Sequence, residues 1–295
     1  MCLNKLFEFN NKTKMTSIKN FIENNLNIKD FVFKENKNFN DIKNYYENAK
    51  ADSIYCYSKI CDFLSKDKKI LEVGGGIHLL TSFLNKEFNI TSVEPGGFTG
   101  YTDELRNQIL SKNKLNVHTT TLENFDTDEK FDFIFSMNVL EHSEDIKVHL
   151  QSCLGLLKDK NSLIYIQCPN YTFPFECHFY KWFIPFLPKF TFKYLRKKSL
   201  IKQFGKEKYN NILNHLNFKC TYFNLKRLNL PITFIHPLKD IFDRLDSDTE
   251  FKKRLFSNNS IKISYNLIKF LKIKSLLIAI FPKFFCPYLI ITLKK

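Results

Sequence analysis

The chain has 295 residues and 44% hydrophobic content, enough for one large domain with insertions or one domain with a small appendage. It carries 45 basic and 30 acidic residues for a net charge of +15. Arginines, which suit bidentate contacts to bases, are confined to Arg106, Arg196, Arg227, Arg244 and Arg254, so charge alone does not argue for a nucleic-acid partner. Eight cysteines show no Cys-x-x-Cys spacing, and Cys56, Cys61, Cys153 and Cys220 sit in apolar context, which points to reduced thiols and a cytoplasmic location rather than a disulfide scaffold.

Residues 1–40 are rich in Asn and Lys, with scattered apolar positions at Leu6, Phe7, Phe9, Phe21 and Ile22. They read as an arm or as short helices, without the charged-then-apolar pattern of a signal peptide. The main domain is expected over 41–295. Its most informative stretch runs from Lys69 to His78: a short apolar strand ending at Glu72-Val73, then Gly74, Gly75 and Gly76. Leu79, Leu80, Phe83 and Leu84 follow as a helix, and a second strand at 90–93 ends in Glu94. Strand, glycine turn, helix, strand and acid is the plan of a nucleoside-binding βαβ unit. Glycines let the backbone turn sharply and approach a ligand, and a carboxylate at Glu94 can accept from both hydroxyls of a ribose. A dinucleotide fingerprint would need glycine where Leu79 stands, and no Gly-Lys-Ser/Thr ending marks a phosphate loop.

Further along, a third strand is expected at 115–120, followed by Thr121, Leu122 and Glu123. A fourth, Phe131 to Met137, runs into Asn138-Val139-Leu140-Glu141-His142. Helical periodicity at Ile146, Val148, Leu150, Cys153, Leu154 and Leu157 separates it from a fifth strand at 162–167. Residues 214–218 read as the next helix, 219–225 as a sixth strand and 288–295 as a seventh.

The Glu-Val-Gly-Gly-Gly segment and the pairing of Phe-Asp-Phe-Ile with Val-Leu-Glu-His resemble class I S-adenosylmethionine-dependent methyltransferases, in the branch acting on small molecules and glycans. The resemblance covers about 45–228 and the last eight residues; it departs from the family pattern at His78, where a third spaced glycine is usual. It implies an α/β fold: a Rossmann-like seven-stranded, mostly parallel sheet with helices on both faces, and insertions after strand five and between strands six and seven. It also implies S-adenosylmethionine as cofactor, with Glu72 holding its amino group directly or through the loop, Glu94 on the ribose, Thr121, Leu122 and Glu123 at the adenine, and Asn138 beyond strand four.

The two insertions are expected to carry acceptor choice. In the first, 171–206, Glu176 is the only acid among eight basic residues and many aromatics. It reads as a lid over the acceptor, a surface for anionic lipid, a stacking platform or a packed helical cap. The second, 229–285, contains a basic amphipathic helix around 261–273, for which packing is preferred over peripheral membrane contact. The apolar tail 276–293 is broken by Pro282, Lys283 and Pro287 and does not read as a membrane span.

Methyl transfer from a sulfonium is an in-line displacement, and a hydroxyl acceptor needs help to lose its proton. The candidates for that role are His142, His178, Glu141 and Glu176. Related enzymes of ubiquinone type hold a divalent ion at a Glu-x-x-Glu-His segment here; with Asn138 at its first acid the set is incomplete, and no metal is expected, although Glu141 and His142 remain two available ligands. An Asn/Asp-Pro-Pro-Tyr/Phe segment for amine methylation is replaced by Ser136-Met137-Asn138-Val139. The expected activity is therefore O-methylation of a small molecule or a sugar- or lipid-linked glycan intermediate, with nucleic acid disfavoured as partner. An RNA methyltransferase and a non-catalytic methyltransferase-like binding protein are the alternatives.

Overall fold

The computed structural model describes residues 15–33, 39–96 and 100–295. The chain divides into two compact units, one comprising 1–135 with 156–163, the other 136–155 with 164–295. Among the described residues, seven strands form one sheet in the order β3-β2-β1-β4-β5-β9-β8: β1 (Lys69–Val73), β2 (Asn89–Val93), β3 (Asn116–His118), β4 (Phe133–Met137), β5 (Leu163–Pro169), β8 (Ile232–Ile235) and β9 (Tyr288–Leu293). A separate two-stranded ribbon holds β6 (Phe175–Glu176) and β7 (Lys181–Trp182).

In the first unit, β1 pairs in parallel with β2, and β2 with β3. Both β1 and β2 are buried at four consecutive positions, the pattern of parallel strands covered on both faces. Two helices precede them: α1 (residues 15–25) and α2 (Phe39–Ile60). Ile18 and Ile22 of α1, and Leu26 just beyond its end, recur every four residues and are almost fully enclosed, one apolar stripe facing the core. The Tyr46 hydroxyl of α2 donates to the Leu26 carbonyl at 2.6 Å, and Gln108 accepts from the Val32 N–H at 2.8 Å. Phe21 and Ile22 thus belong to a packed helix, while Leu6, Phe7 and Phe9 lie outside the described residues. Between the strands come α3 (Leu79–Leu84) and α4 (Gly100–Lys112).

The second unit contains α5 (Ile146–Leu156) and the antiparallel pairs β5–β9 and β8–β9. The sixth strand of the main sheet is β8, inside the segment expected to be a helical insertion, and not 219–225. Thr221 caps the helix Tyr222–Lys226 by accepting from the Asn224 N–H at 3.1 Å, and that cap turns the apolar run 222–225 into helix. The helix expected at 214–218 ends at His215.

Asn170 ties this unit together. Its Nδ2 donates to the Phe284 and Cys286 carbonyls at 2.9 and 2.7 Å, and its Oδ1 accepts from the Thr172 and Tyr222 N–H groups, both at 3.1 Å. The first insertion packs Phe175 and Trp182 with Leu238, Phe242, Leu245 and Tyr265 of the second. Helix Asn259–Phe270 therefore does pack, through Ile261, Tyr265 and Ile268. Its opposite side exposes Ile263, Leu267 and Phe270, another stripe at helical spacing. No helix among the described residues is long and apolar enough to cross a membrane. Six of the seven free cysteines described are buried, and Cys220 Sγ lies 3.4 Å from Cys168 Sγ.

Candidate functional site

The glycine bend follows directly from the end of β1. Gly74 and Gly76 have φ of 85° and 56°, in the left-handed region that glycine tolerates without a Cβ penalty. Gly75 is excluded from change for another reason: a Cβ there would meet His78 Nδ1 and Ser92 Oγ, each at 2.5 Å. Above Gly76 a Cβ would meet nothing within 4 Å, so the bend is packed on one side and open at its crest.

Two carboxylates hold this bend from below and beside it. Glu72 is buried and accepts hydrogen bonds from the Thr81 hydroxyl and, at 3.1 Å, from Ser92 Oγ. Burial, only partly offset by these donors, raises its pKa to about 7. Glu94 accepts from the Gly76 N–H at 2.8 Å and from the Gly96 N–H at 2.9 Å, one to each oxygen. A carboxylate has further lone pairs on both oxygens, so these bonds leave capacity for a diol. Burial raises its pKa as well, against the pull of the two backbone donors and Arg106.

The structure thus brings Glu72, the three glycines and Glu94 together. The turn after β3 places Thr121 ahead of a 3-10 turn at Leu122–Asn124, with Leu122 buried and Glu123 exposed. Glu94 N–H donates to the His118 carbonyl at 3.1 Å, which joins the ends of β2 and β3. Two residues of this region were not assigned a role from sequence. His78, φ 61°, is fully buried, contacts Thr81 Oγ1 at 3.1 Å through Nδ1, and among the described residues has no partner for Nε2. Burial lowers its pKa to about 4, so the ring is a neutral filler beneath the bend. Arg106 backs Gly96 so closely that a Cβ there would lie 2.0 Å from its Nη1. A lone arginine in an amphipathic helix gives no sequence signal for that placement.

In the second unit, Asn138 follows β4 with φ 57°; its N–H donates to the Gln167 carbonyl at 2.8 Å and its Oδ1 is buried without a partner. The next residues form a 3-10 turn at Leu140–His142. Glu141 is fully enclosed, and among the described residues neither carboxylate oxygen has a hydrogen-bond partner. Its backbone carbonyl accepts from the Asn217 N–H at 2.6 Å, fixing the turn. His142 Nδ1 lies 3.1 Å from the His215 carbonyl, and its Nε2 lies 3.8 Å from Glu141 Oε1.

The first insertion delivers the remaining two candidates. Glu176 is buried; its Oε1 lies 2.6 Å from His178 Nδ1, and its Oε2 accepts from the Phe179 N–H at 2.6 Å. The rings of His142 and His178 are 5.2 Å apart, nearly perpendicular. All four predicted residues, Glu141, His142, Glu176 and His178, therefore form one cluster, although 33 residues separate the two pairs' nearest members in sequence.

The charges in this cluster are set by enclosure and by pairing. Burial raises the Glu141 pKa to about 7. Burial, and then the neighbouring His178, lower the His142 pKa to about 4, leaving a neutral ring. For Glu176 burial opposes ionisation, but His178 and the Phe179 N–H overcome it and hold the carboxyl below its ordinary value. For His178 burial opposes the charged form, yet Cys177 and Glu176 carry its pKa well above the usual range.

A family model described as a methyltransferase domain matches residues 45–222. An uncharacterized protein of Mycobacterium tuberculosis, found in two strains, is 36% identical over 129 residues, which cover 40% of this chain and 44% of that protein. The chain thus matches less than half the length of these curated relatives. Among solved structures, an S-adenosylmethionine-dependent methyltransferase from Clostridium acetobutylicum is 19% identical, with a TM-score of 0.37 over 46% of this chain and 59% of that one. The plantazolicin methyltransferase BpumL is 14% identical, with a TM-score of 0.45 over 96% of this chain and 97% of that one.

Proposed function

Since the chain belongs to the methyltransferase-domain family, matched over 45–222, we propose that it methylates a hydroxyl of a small molecule or of a sugar- or lipid-linked glycan intermediate, using S-adenosylmethionine. Bound, that cofactor supplies an electrophilic methyl carbon on a sulfonium. The first unit fits it: the crest of the bend at Gly76 is open, and Glu94 retains acceptor capacity for two ribose hydroxyls. Glu72 acts through the loop, because its carboxylate is occupied by Thr81 and Ser92 beneath it. Leu122, with Thr121 and Glu123, is assigned to the adenine.

The observation that carries the acceptor assignment is the buried carboxylate of Glu141, which among the described residues has no hydrogen-bond donor for either oxygen. An enclosed carboxylate without a donor is costly, and an acceptor hydroxyl supplies one. Glu141, with His142 and His178, receives that hydroxyl and orients its oxygen. On taking up the methyl group the acceptor oxygen would become positive, and Glu141 is placed to receive the proton that it would then give up. A fixed carboxylate stabilises that charge as it develops.

The test is transfer of a labelled methyl group from S-adenosylmethionine into fractionated extract, followed by NMR of the labelled product. An O-methyl shift is expected. Glu141→Gln should lower kcat by roughly 10²- to 10³-fold, the range for loss of one preorganised electrostatic contact, with cofactor affinity unchanged. Label recovered in RNA or in an N-methyl group would contradict the assignment, and so would an unchanged kcat.

The outer stripe of helix Asn259–Phe270 supports a location for this activity at an anionic membrane surface. Ile263, Leu267 and Phe270 are exposed, with Lys262 and Lys269 beside them. Such a face inserts shallowly while its lysines meet lipid phosphates. Sedimentation with phosphatidylglycerol vesicles should carry the protein down, and Phe270→Asp should leave most of it in the supernatant. Equal sedimentation of both would remove this location.

A further inference from the structure

We propose that the turn at 184–187, with the basic segment that follows it, is a wedge that enters an anionic bilayer surface. The contact is separate from the outer stripe of helix Asn259–Phe270 and is carried by different observations. The Leu187 N–H donates to the Ile184 carbonyl at 2.9 Å, with Pro185 in the second position and Phe186 in the third at φ 66°. That is the layout of a type II turn, whose third position normally takes glycine or asparagine. A phenylalanine there strains the backbone, and its ring is not spent on the core, since Phe186 is 89% exposed. The turn is nevertheless held in place. The buried Thr191 hydroxyl accepts from the Ile184 N–H at 3.0 Å and donates to the Leu187 carbonyl at 2.8 Å. Phe183 and Phe192, which flank this clasp in sequence, are buried with their rings 5.9 Å apart. Part of the insertion is thus a packed base, from which an ordered apolar tip stands out.

The chemistry around the tip selects its partner. Ile184, Leu187, Phe190, Tyr194 and Leu195 are exposed along with Phe186. Lys189, Lys193, Lys197 and Lys198 are exposed among them, and no acid occurs between Glu176 and Glu207. A partner for this surface must be apolar within and anionic at its edge. A bilayer with acidic headgroups is both: the apolar side chains enter the acyl boundary while the lysines meet lipid phosphates. Nucleic acid fits less well, because Ile184, Leu187 and Leu195 have no ring on which a base can stack. The root of the wedge is tied to the start of helix Asn259–Phe270. Trp182 Nε1 donates to Ser260 Oγ at 2.7 Å, and Asn258 Nδ2 donates to the Tyr180 carbonyl at 3.1 Å. Each lipid contact alone is shallow, and two on one unit reinforce each other, because the first raises the effective concentration of the second at the surface. That gain rests on the membrane location assigned above to the helix; the wedge itself does not.

Binding is read by sedimentation of the full chain with phosphatidylglycerol vesicles, with phosphatidylcholine vesicles as the neutral control. The wild type should sediment with the first and stay in the supernatant with the second. Phe186→Gly is the central variant, because glycine suits φ 66° and relieves the turn, so that lost binding is not lost folding. It should weaken vesicle affinity by about 10- to 100-fold at an unchanged or higher Tm, the scale for one apolar side chain leaving the bilayer. Phe186→Trp should keep the affinity, and its tryptophan emission should shift to the blue on vesicle addition, more than that of the wild type. Wild-type affinity in Phe186→Gly would overturn the wedge. So would a dimer that forms without vesicles, or a salt-sensitive RNA complex, if Phe186→Gly abolished it, since either would give the tip another occupant. If Phe186→Gly binds like the wild type while Phe270→Asp does not, the helix keeps its membrane location and the wedge falls. The reverse result leaves the wedge standing and removes the helix from the surface.

Discussion

Glu72 is an enclosed carboxylate whose donors among the described residues are the Thr81 and Ser92 hydroxyls. Its pKa rises from 4.5 to about 7 on folding, so the folded chain holds the proton more tightly than the unfolded one. Between those values the folded state binds more protons, and stability falls as pH rises through this window, then levels off. The displacement corresponds to on the order of 3 kcal/mol. Glu72→Gln removes the titration, so urea denaturation of the two proteins at pH 4.5 and pH 7.5 should show the variant gaining relative to wild type at the higher pH. A difference that does not change with pH would contradict the burial account of Glu72. At Gly75 the constraint is steric rather than electrostatic. Gly75→Ala forces its Cβ against His78 and Ser92 and should cost about 1–3 kcal/mol by the same denaturation assay, with loss of cofactor affinity.

Among the elements, the hydrogen bonds of Asn170 join the end of β5, the start of helix Tyr222–Lys226 and the turn before β9. Replacing it by Ala leaves two carbonyls and two N–H groups without this partner. Asn170→Ala should lower stability by about 2–4 kcal/mol, read as a clear fall in Tm; a change within error would mean that water substitutes for the side chain. Asn170 stands just after strand five, and no local pattern in the sequence marks its four hydrogen bonds. Strands β1, β2 and β4 were legible because each is a short, largely buried run flanked by glycine or an acid. The sixth strand was not. Residues 222–225 are as apolar as a strand, and the Thr221 cap, which turns them into helix, has no periodicity to reveal it. β8 lies in a segment dominated by helices, with half of its positions exposed, so its alternation was easily passed over.

For the molecule as a whole, the candidate residues could be named from sequence, but their grouping could not. Glu72 and Glu94 come together because adjacent parallel strands end level with each other. Glu141, His142, Glu176 and His178 come together because a short ribbon folds back beside the turn after β4, a long-range arrangement to which local pattern is blind. The +15 charge fits the same account. If it served RNA binding, affinity would fall steeply with salt. A gel shift with total RNA at 50 and 200 mM salt is expected to show no such specific complex, and a strong salt-sensitive shift would favour the RNA alternative.

The grip of the glycine bend and Glu94 on the methyl donor is most directly tested by titration calorimetry with S-adenosylhomocysteine. Wild type should bind one equivalent, and Glu94→Ala should bind about 10- to 100-fold more weakly, as expected for the loss of charge-assisted hydrogen bonds. No heat with the wild type, or equal affinity in both proteins, would contradict the assignment of this bend as the donor site.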